Sequence, residues 1–231
     1  LCDRRQRQMC IRDRLLEFGF DAIVASAGAY VSANDKVIYH SVLANDKVQD
    51  MVEVLKEHGA CFMLQGINGR YVDEENAKKM RERCMRLGLD IDGALNGLTL
   101  VEHPEQMPAL ESGMYFDADI PVDVMQKEVG NYIKITGASF GKDRQMSGEM
   151  TKMGVNKATG MQQLMDELKI GREDTIAFGD GPNDVEMLQF AGTGVAMGNA
   201  IPAVKQYADM VTDKIDEDGL YHAFERLHLL G

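Results

Sequence analysis

TIAFGDGPNDVEML, residues 175–188, is the stretch whose reading decides the fold. Thr175–Phe178 is a continuous small and apolar run, the pattern of a strand covered on both faces. Gly179, Gly181 and Pro182 then force a tight turn that other backbone approaches closely. From Asp184 to Phe190 the chain reads as a short helix. A buried strand feeding a helix through a glycine turn is the repeating unit of a parallel, doubly wound α/β sheet. Such sheets bind ligands at the carboxyl ends of their strands, where Asp180 stands.

The alternation continues on both sides. Upstream, Met161, Leu164, Met165 and Leu168 share one face of a helix predicted over Lys157–Leu168. Downstream, Gly194–Met197 is a second buried strand and Pro202–Met210 a helix. Val211 begins a further short strand, and Leu220–Leu230 forms a closing helix. Residues from about Leu43 to Gln145 differ, mixing short helices and strands in the manner of a small α+β domain. They include helices over Asp46–His58 and Asp73–Leu87, ended by Gly59 and Gly88, and one that starts near Pro121. Strands are expected at Cys61–Leu64, Gly113–Asp117 and Tyr132–Thr136. Before this block, Leu15–Phe20 resembles the tail of a helix and Asp21–Ala25 an apolar strand. The small residues Ser26–Ala29 follow, and then a hairpin over Tyr30–Val42 that turns at Ala33, Asn34 and Asp35.

Composition narrows the function. A net charge of −12 over 231 residues argues against general nucleic-acid binding, which needs a basic face to displace counterions, and against attachment to anionic lipid. No run of eighteen apolar residues suggests a membrane span. Cys2, Cys10, Cys61 and Cys84 form no Cys-x-x-Cys pair, so reduced thiols in a cytoplasmic protein are expected. Sixteen methionines fit a methionine-rich core. The opening LCDRRQRQMCIRDR, residues 1–14, carries five arginines against two aspartates and has no periodicity. It is expected to be a non-native or disordered segment, resembling translated sequencing-adapter read-through.

The chemistry concentrates in residues 180–184. Two aspartates and an asparagine within five residues suit a hard cation such as Mg2+, which keeps several waters and takes few protein carboxylates. Alternatively, Asp180 or Asn183 simply caps the helix that follows. Lys157, in Gly154-Val155-Asn156-Lys157, stands where a helix begins. A cation there opposes the helix dipole, which makes sense when an anion sits between the lysine and the exposed N–H groups.

Taken together, GVNKATGM at 154–161, TIAFGDGPNDVEML at 175–188 and GVAMGNA at 194–200 resemble the third and fourth motifs of the HAD superfamily, and more specifically its Cof-type or IIB branch. Ser26–Ala29 is similar to the Asn-Gly-Ala turn of that branch, with Ala27 where asparagine is usual. The resemblance implies an α/β, Rossmann-like HAD core with a parallel sheet over 15–42 and 146–231, its first strand missing, and an inserted α+β cap over 43–145. It further implies a phosphatase acting on a small phosphorylated metabolite, such as a sugar phosphate, through an aspartyl-phosphate. Asp180 would be a magnesium ligand, with Asp184 supporting the metal directly or through water. Asn183 would contact the phosphoryl group, and Lys157 would hold the phosphate and offset the nucleophile's charge.

The nucleophile of such enzymes comes from an N-terminal Asp-x-Asp at the end of the first strand. Asp3 and Asp13 have no aspartate two positions later, and Asp21 begins a strand rather than ending one. The expectation is therefore that the nucleophile is absent, with no replacement elsewhere, and that the chain is a truncated and inactive form. A catalytically dead ligand- or partner-binding relative and a phosphomutase or phosphotransferase of the superfamily are the competing readings. Oligomeric state is left open.

Overall fold

The computed structural model describes residues 19–34, 36–137 and 145–230. Residues 1–14, most of the helix tail expected over 15–20, and Asp35 of the hairpin turn lie outside them. The contacts divide the chain into two compact units, Leu1–Val155 and Asn156–Gly231.

In the first unit, β1 (Ala22–Ala25), β2 (Tyr30–Ala33) and β3 (Lys36–His40) form an antiparallel sheet. Between β1 and β2, Ser26 and Ala27 both take left-handed backbone angles, φ 50° and 51°. Asparagine adopts that region more readily than alanine, which gives a physical reason for the residue usual at position 27. Helix α1 (Asn45–Glu57) follows, burying Val48, Met51, Val52 and Leu55 as its spacing predicts. Next come β4 (Cys61–Gly66), β5 (Gly69–Val72), α2 (Glu74–Leu87), α3 (Ile91–Leu95), β6 (Leu98–Leu100), β7 (Leu110–Phe116), α4 (Val122–Glu128), β8 (Ile133–Gly137) and β9 (Gly148–Lys152). Asp73 caps α2 by accepting the Asn76 N–H at 2.7 Å, and Gly88 ends it at φ 66°. The strands form one sheet ordered β6-β5-β4-β7-β9-β8, antiparallel except between β5 and β6. Phe62, Leu64, Tyr115, Met125 and Met150 are buried in its core with the α1 residues.

The grouping of contacts differs from the expected boundaries. β9 pairs with both β7 and β8, so the middle block runs on to Lys152 instead of ending at Gln145. The described residues from 19 to 42 are bound to that block rather than grouped with 156–230. Leu43 N–H donates to the Leu110 carbonyl at 2.7 Å. Glu111, 1% exposed, accepts from Ser26 Oγ at 2.5 Å and pairs with His40 Nε2 at 2.6 Å. Cys61 and Cys84 are free and buried, and burial pushes the Cys61 thiol up to about 12.

The second unit contains α5 (Lys157–Leu168), β10 (Ile176–Gly179), α6 (Val185–Phe190), β11 (Thr193–Ala196), α7 (Pro202–Lys205), β12 (Met210–Val211) and α8 (Gly219–Arg226). Its sheet, β10-β11-β12, is parallel throughout, as the continuous apolar strands indicate. Ala177, Leu188, Ala196 and Val204 are buried together. α7 stops well before the expected Met210. Asp209 explains this: its N–H donates to the Gly194 carbonyl and its carboxylate accepts the Gly194 N–H, both at 2.8 Å, which draws the chain onto β11. No helix of the described residues is long and apolar enough to cross a membrane.

One surface cluster of the first unit titrates. The half-buried His58, just beyond α1, faces Glu128 at 2.9 Å and Asp119 at 2.7 Å. Hydrogen bonds to Glu128 first and Asp119 second raise its pKa above the ordinary 6.5. The folded chain then holds this proton more tightly than the unfolded chain. The stabilisation is fully present below the unfolded value and is lost as pH rises through the folded one. Urea unfolding of the parent and of His58→Asn between about pH 5 and about pH 9 should show the parent's advantage shrinking as pH rises. A constant difference would remove the proton linkage.

Candidate active site

Lys157, Asp180, Asn183 and Asp184 all lie in the second unit. Lys157 is the first residue of α5, whose start is fixed by a reciprocal cap. Asn156 Oδ1 accepts the Thr159 N–H, and Thr159 Oγ1 accepts the Asn156 N–H, each at 2.9 Å. From this position the Lys157 ammonium is ion-paired with Asp184 Oδ1. The lysine side chain is 32% exposed and that of Asp184 only 7%.

The other oxygen of Asp184, Oδ2, accepts the backbone N–H groups of Asp180 and Gly181, both at 2.9 Å. One buried carboxylate therefore gathers a lysine and two loop amides, the partners a desolvated charge requires. The backbone must come very close for this. A Cβ on Gly179 would stand 2.5 Å from Asp184 Cβ, so only glycine fits.

Asp180 is exposed at the carboxyl end of β10. The parallel pairing of Gly179 with Ala196, continued by Met197 N–H to the Gly179 carbonyl at 2.9 Å, brings the loops after β10 and β11 to the same edge. There Asn199 Nδ2 donates to Asp180 Oδ2 at 2.8 Å. Asp180 Oδ1 has no hydrogen-bond partner among the described residues. The residues that stand before the single turn at Pro182–Asp184 and before α6 are Gly181 and Asp184, and the Asp184 carboxylate is itself tied back to the Gly181 N–H. Asn183 is half-buried on that turn.

These donors fit a cation that keeps most of its waters. The exposed Asp180 offers a hard carboxylate oxygen, while Asp184 has committed both of its oxygens to the protein. A closed cage is a different case: among the described residues no group of three or more His, Cys, Asp or Glu is placed to enclose an ion.

Residues 7–224 match the family model of the haloacid dehalogenase-like hydrolases. The chain belongs to that family. The phosphatase YitU of Bacillus subtilis strain 168, named for 5-amino-6-(5-phospho-D-ribitylamino)uracil, is 56% identical over 72 residues, 31% of this chain and 27% of its own. YcsE of the same strain, named for the same compound, is 27% identical over 202 residues, 87% of this chain and 70% of its own. The solved structure of the HAD subclass IIB sugar phosphatase BT4131 matches with a TM-score of 0.74 at 26% identity, covering 96% of this chain and 80% of that one. The resemblance to the IIB branch thus extends from the motifs to the fold.

Within this HAD-like hydrolase, two further features of the sequence gain a place in the structure. Asn199, in GVAMGNA, has no role in the sequence reading, and the signal that could have found it is its place beyond a parallel strand neighbouring β10. The Asp-x-Asp spacing also occurs beyond the N-terminal region. The spacing occurs at Asp90/Asp92, Asp117/Asp119 and Asp216/Asp218, and the second pair directly follows β7. Asp117, however, pairs with Arg83 and Arg86 at 2.5 Å each, and Asp119 is held by His58. Asp90 and Asp92 lie at the start of α3, and Asp216 and Asp218 around a helical turn, away from any strand end.

The close approach at Gly179 is open to test. Gly179→Ala should lower stability by about 1–3 kcal/mol, the usual cost of overpacking, because the new methyl displaces the Asp184 side chain. Denaturant unfolding of the variant against the parent measures it, and an unchanged midpoint would show that the loop has room to spare.

Proposed function

We propose that the second unit carries the phosphate- and magnesium-binding half of a phosphatase that acts on a small phosphorylated metabolite through an aspartyl-phosphate. The observation that supports this most is the Lys157–Asp184 pair. It holds an ammonium at the start of α5, beside a loop whose exposed carboxylate, Asp180, stands at a strand's carboxyl end. An ammonium has three donors, and the pair with Asp184 uses one. The others are available to phosphoryl oxygens, which Lys157 holds while Asn183 orients the group from the 182–184 turn. Asp180 would hold Mg2+, with Asp184 supporting that site by fixing the loop. When bound, the ion supplies charge stabilisation to the equatorial oxygens of the transferring group.

The substrate reading is a phosphorylated polyol or sugar. YitU and YcsE are named for a phosphorylated ribitylaminouracil, and BT4131 is described as a sugar phosphatase. The middle block from Leu43 to Lys152 would act as the selecting cap. Among the described residues the Asp-x-Asp that follows a strand is committed to Arg83, Arg86 and His58, so this polypeptide should bind phosphate without releasing any from an ester.

Thermal melts with Mg2+ and inorganic phosphate together test the reading. The parent should gain about 2–3 kcal/mol at ligand concentrations roughly a hundredfold above Kd, and Lys157→Ala should gain little. An equal gain in both would sink the assignment of Lys157. Mg2+-dependent phosphate release above the Lys157→Ala background would instead show that this polypeptide does contain a working nucleophile.

A further inference from the structure

Asn199 stands on the turn that follows β11, and its side chain spans two neighbours. Its Nδ2 donates to Asp180 Oδ2 at 2.8 Å, while its Oδ1 accepts the Ile215 N–H at 3.2 Å. The second contact fixes the orientation of the amide. An N–H can only be met by the carbonyl oxygen, so the NH2 must face Asp180.

The turn itself does not depend on this side chain. Gly198 N–H donates to the Asp213 carbonyl at 3.0 Å, and Ala200 N–H closes onto the Met197 carbonyl at 2.9 Å. Lys205 Nζ donates to the Gly198 carbonyl at 2.6 Å. A Cβ on Gly198 would meet the Asp213–Lys214 peptide at 2.6 Å, so that strand–turn contact is already as close as backbone allows. Four constraints independent of the Asn199 side chain thus locate residues 197–200, and with Oδ1 on the Ile215 N–H the NH2 group is left for Asp180.

We propose that Asn199 is a positioning residue for Asp180. It occupies Oδ2 with a neutral donor, holds an exposed carboxylate in one rotamer and leaves Oδ1 directed to the cation. A neutral amide suits this task because it restrains the carboxylate without competing for it as a lysine or arginine would. The inference rests on the reading of Asp180 as a cation ligand, and it adds a residue from a second loop to that site.

Mn2+ alone, titrated into the full chain and followed by electron paramagnetic resonance, separates the two claims. Parent, Asp180→Asn and Asn199→Ala chains are compared, each also melted without metal. The parent should bind one ion and Asp180→Asn should lose it. Asn199→Ala should bind about tenfold more weakly, the lower end of what losing a partner behind a ligand costs, with an altered bound spectrum and an unchanged metal-free Tm. Parent-like affinity and spectrum in Asn199→Ala, with binding lost in Asp180→Asn, would overturn the role of Asn199 and leave the site intact. A metal-free Tm that falls in Asn199→Ala while its bound spectrum stays that of the parent would overturn it too, as a structural contact. Should the parent fail to bind, or bind no better than Asp180→Asn, the cation site itself fails and Asn199 has nothing to position.

Discussion

The second unit is organised around one desolvated charge, the Asp184 carboxylate. It sits at the end of the loop after β10, yet its partners come from the start of α5 and from two amides earlier in the same loop. A carboxylate with one face in protein and no partners would be strongly unfavourable. The loop therefore cannot relax independently of α5. Any displacement of the Asp180–Gly181 backbone leaves either an N–H or a carboxylate oxygen without its partner. The close approach at Gly179 is the steric counterpart of the same constraint.

From this follows a division of labour between two aspartates four residues apart. Asp184 is enclosed and neutralised by the protein, which makes it a fixed point. Asp180 is exposed, and the partner its carboxylate has among the described residues is the neutral amide of Asn199. Two carboxylates this close would repel if both were free. Pairing one with Lys157 reduces the field at the other, and the ammonium stays partly exposed and able to meet an anion. On the proposed reading, a group for a cation and a group for an anion would thereby stand side by side, the pairing that phosphoryl chemistry needs.

Much of this was legible in the sequence, and what was not has identifiable causes. The helix over Lys157–Leu168 is as expected because its apolar face and its start signal agree. β10 and β11 shift by one residue, since a continuous apolar run has no alternation to fix its ends. α7 is shorter than its pattern because Asp209 clips to Gly194, a contact between residues 15 apart that no local period encodes. The extent of the middle block was missed for a similar reason. Gly148–Lys152 lies near the helix it precedes in sequence, but its backbone pairs with β7 and β8. At the site, residue types marked the side chains that gather there, while their different surroundings did not show. Nothing in GDGPND says that the second aspartate faces inward and the first outward. That depends on which carboxylate the loop amides reach.

The first unit offers an instructive contrast, because it too contains a buried carboxylate between distant segments. Glu111 on β7 meets Ser26 and His40, and Gln65 in turn donates to Ser26 Oγ at 3.0 Å. Burial is the dominant influence on Glu111 and raises its pKa; the Ser26 hydroxyl and then His40 oppose that shift. Glu111 itself is only 1% exposed, so the arrangement serves to fasten the β1–β3 sheet to β7. Asp184 differs in having its lysine half out of the protein and a second, unburied aspartate at the other end of the loop. A buried carboxylate alone therefore marks a junction in this chain. What distinguishes the candidate active site is that the groups the buried carboxylate fixes in place are themselves open to a ligand.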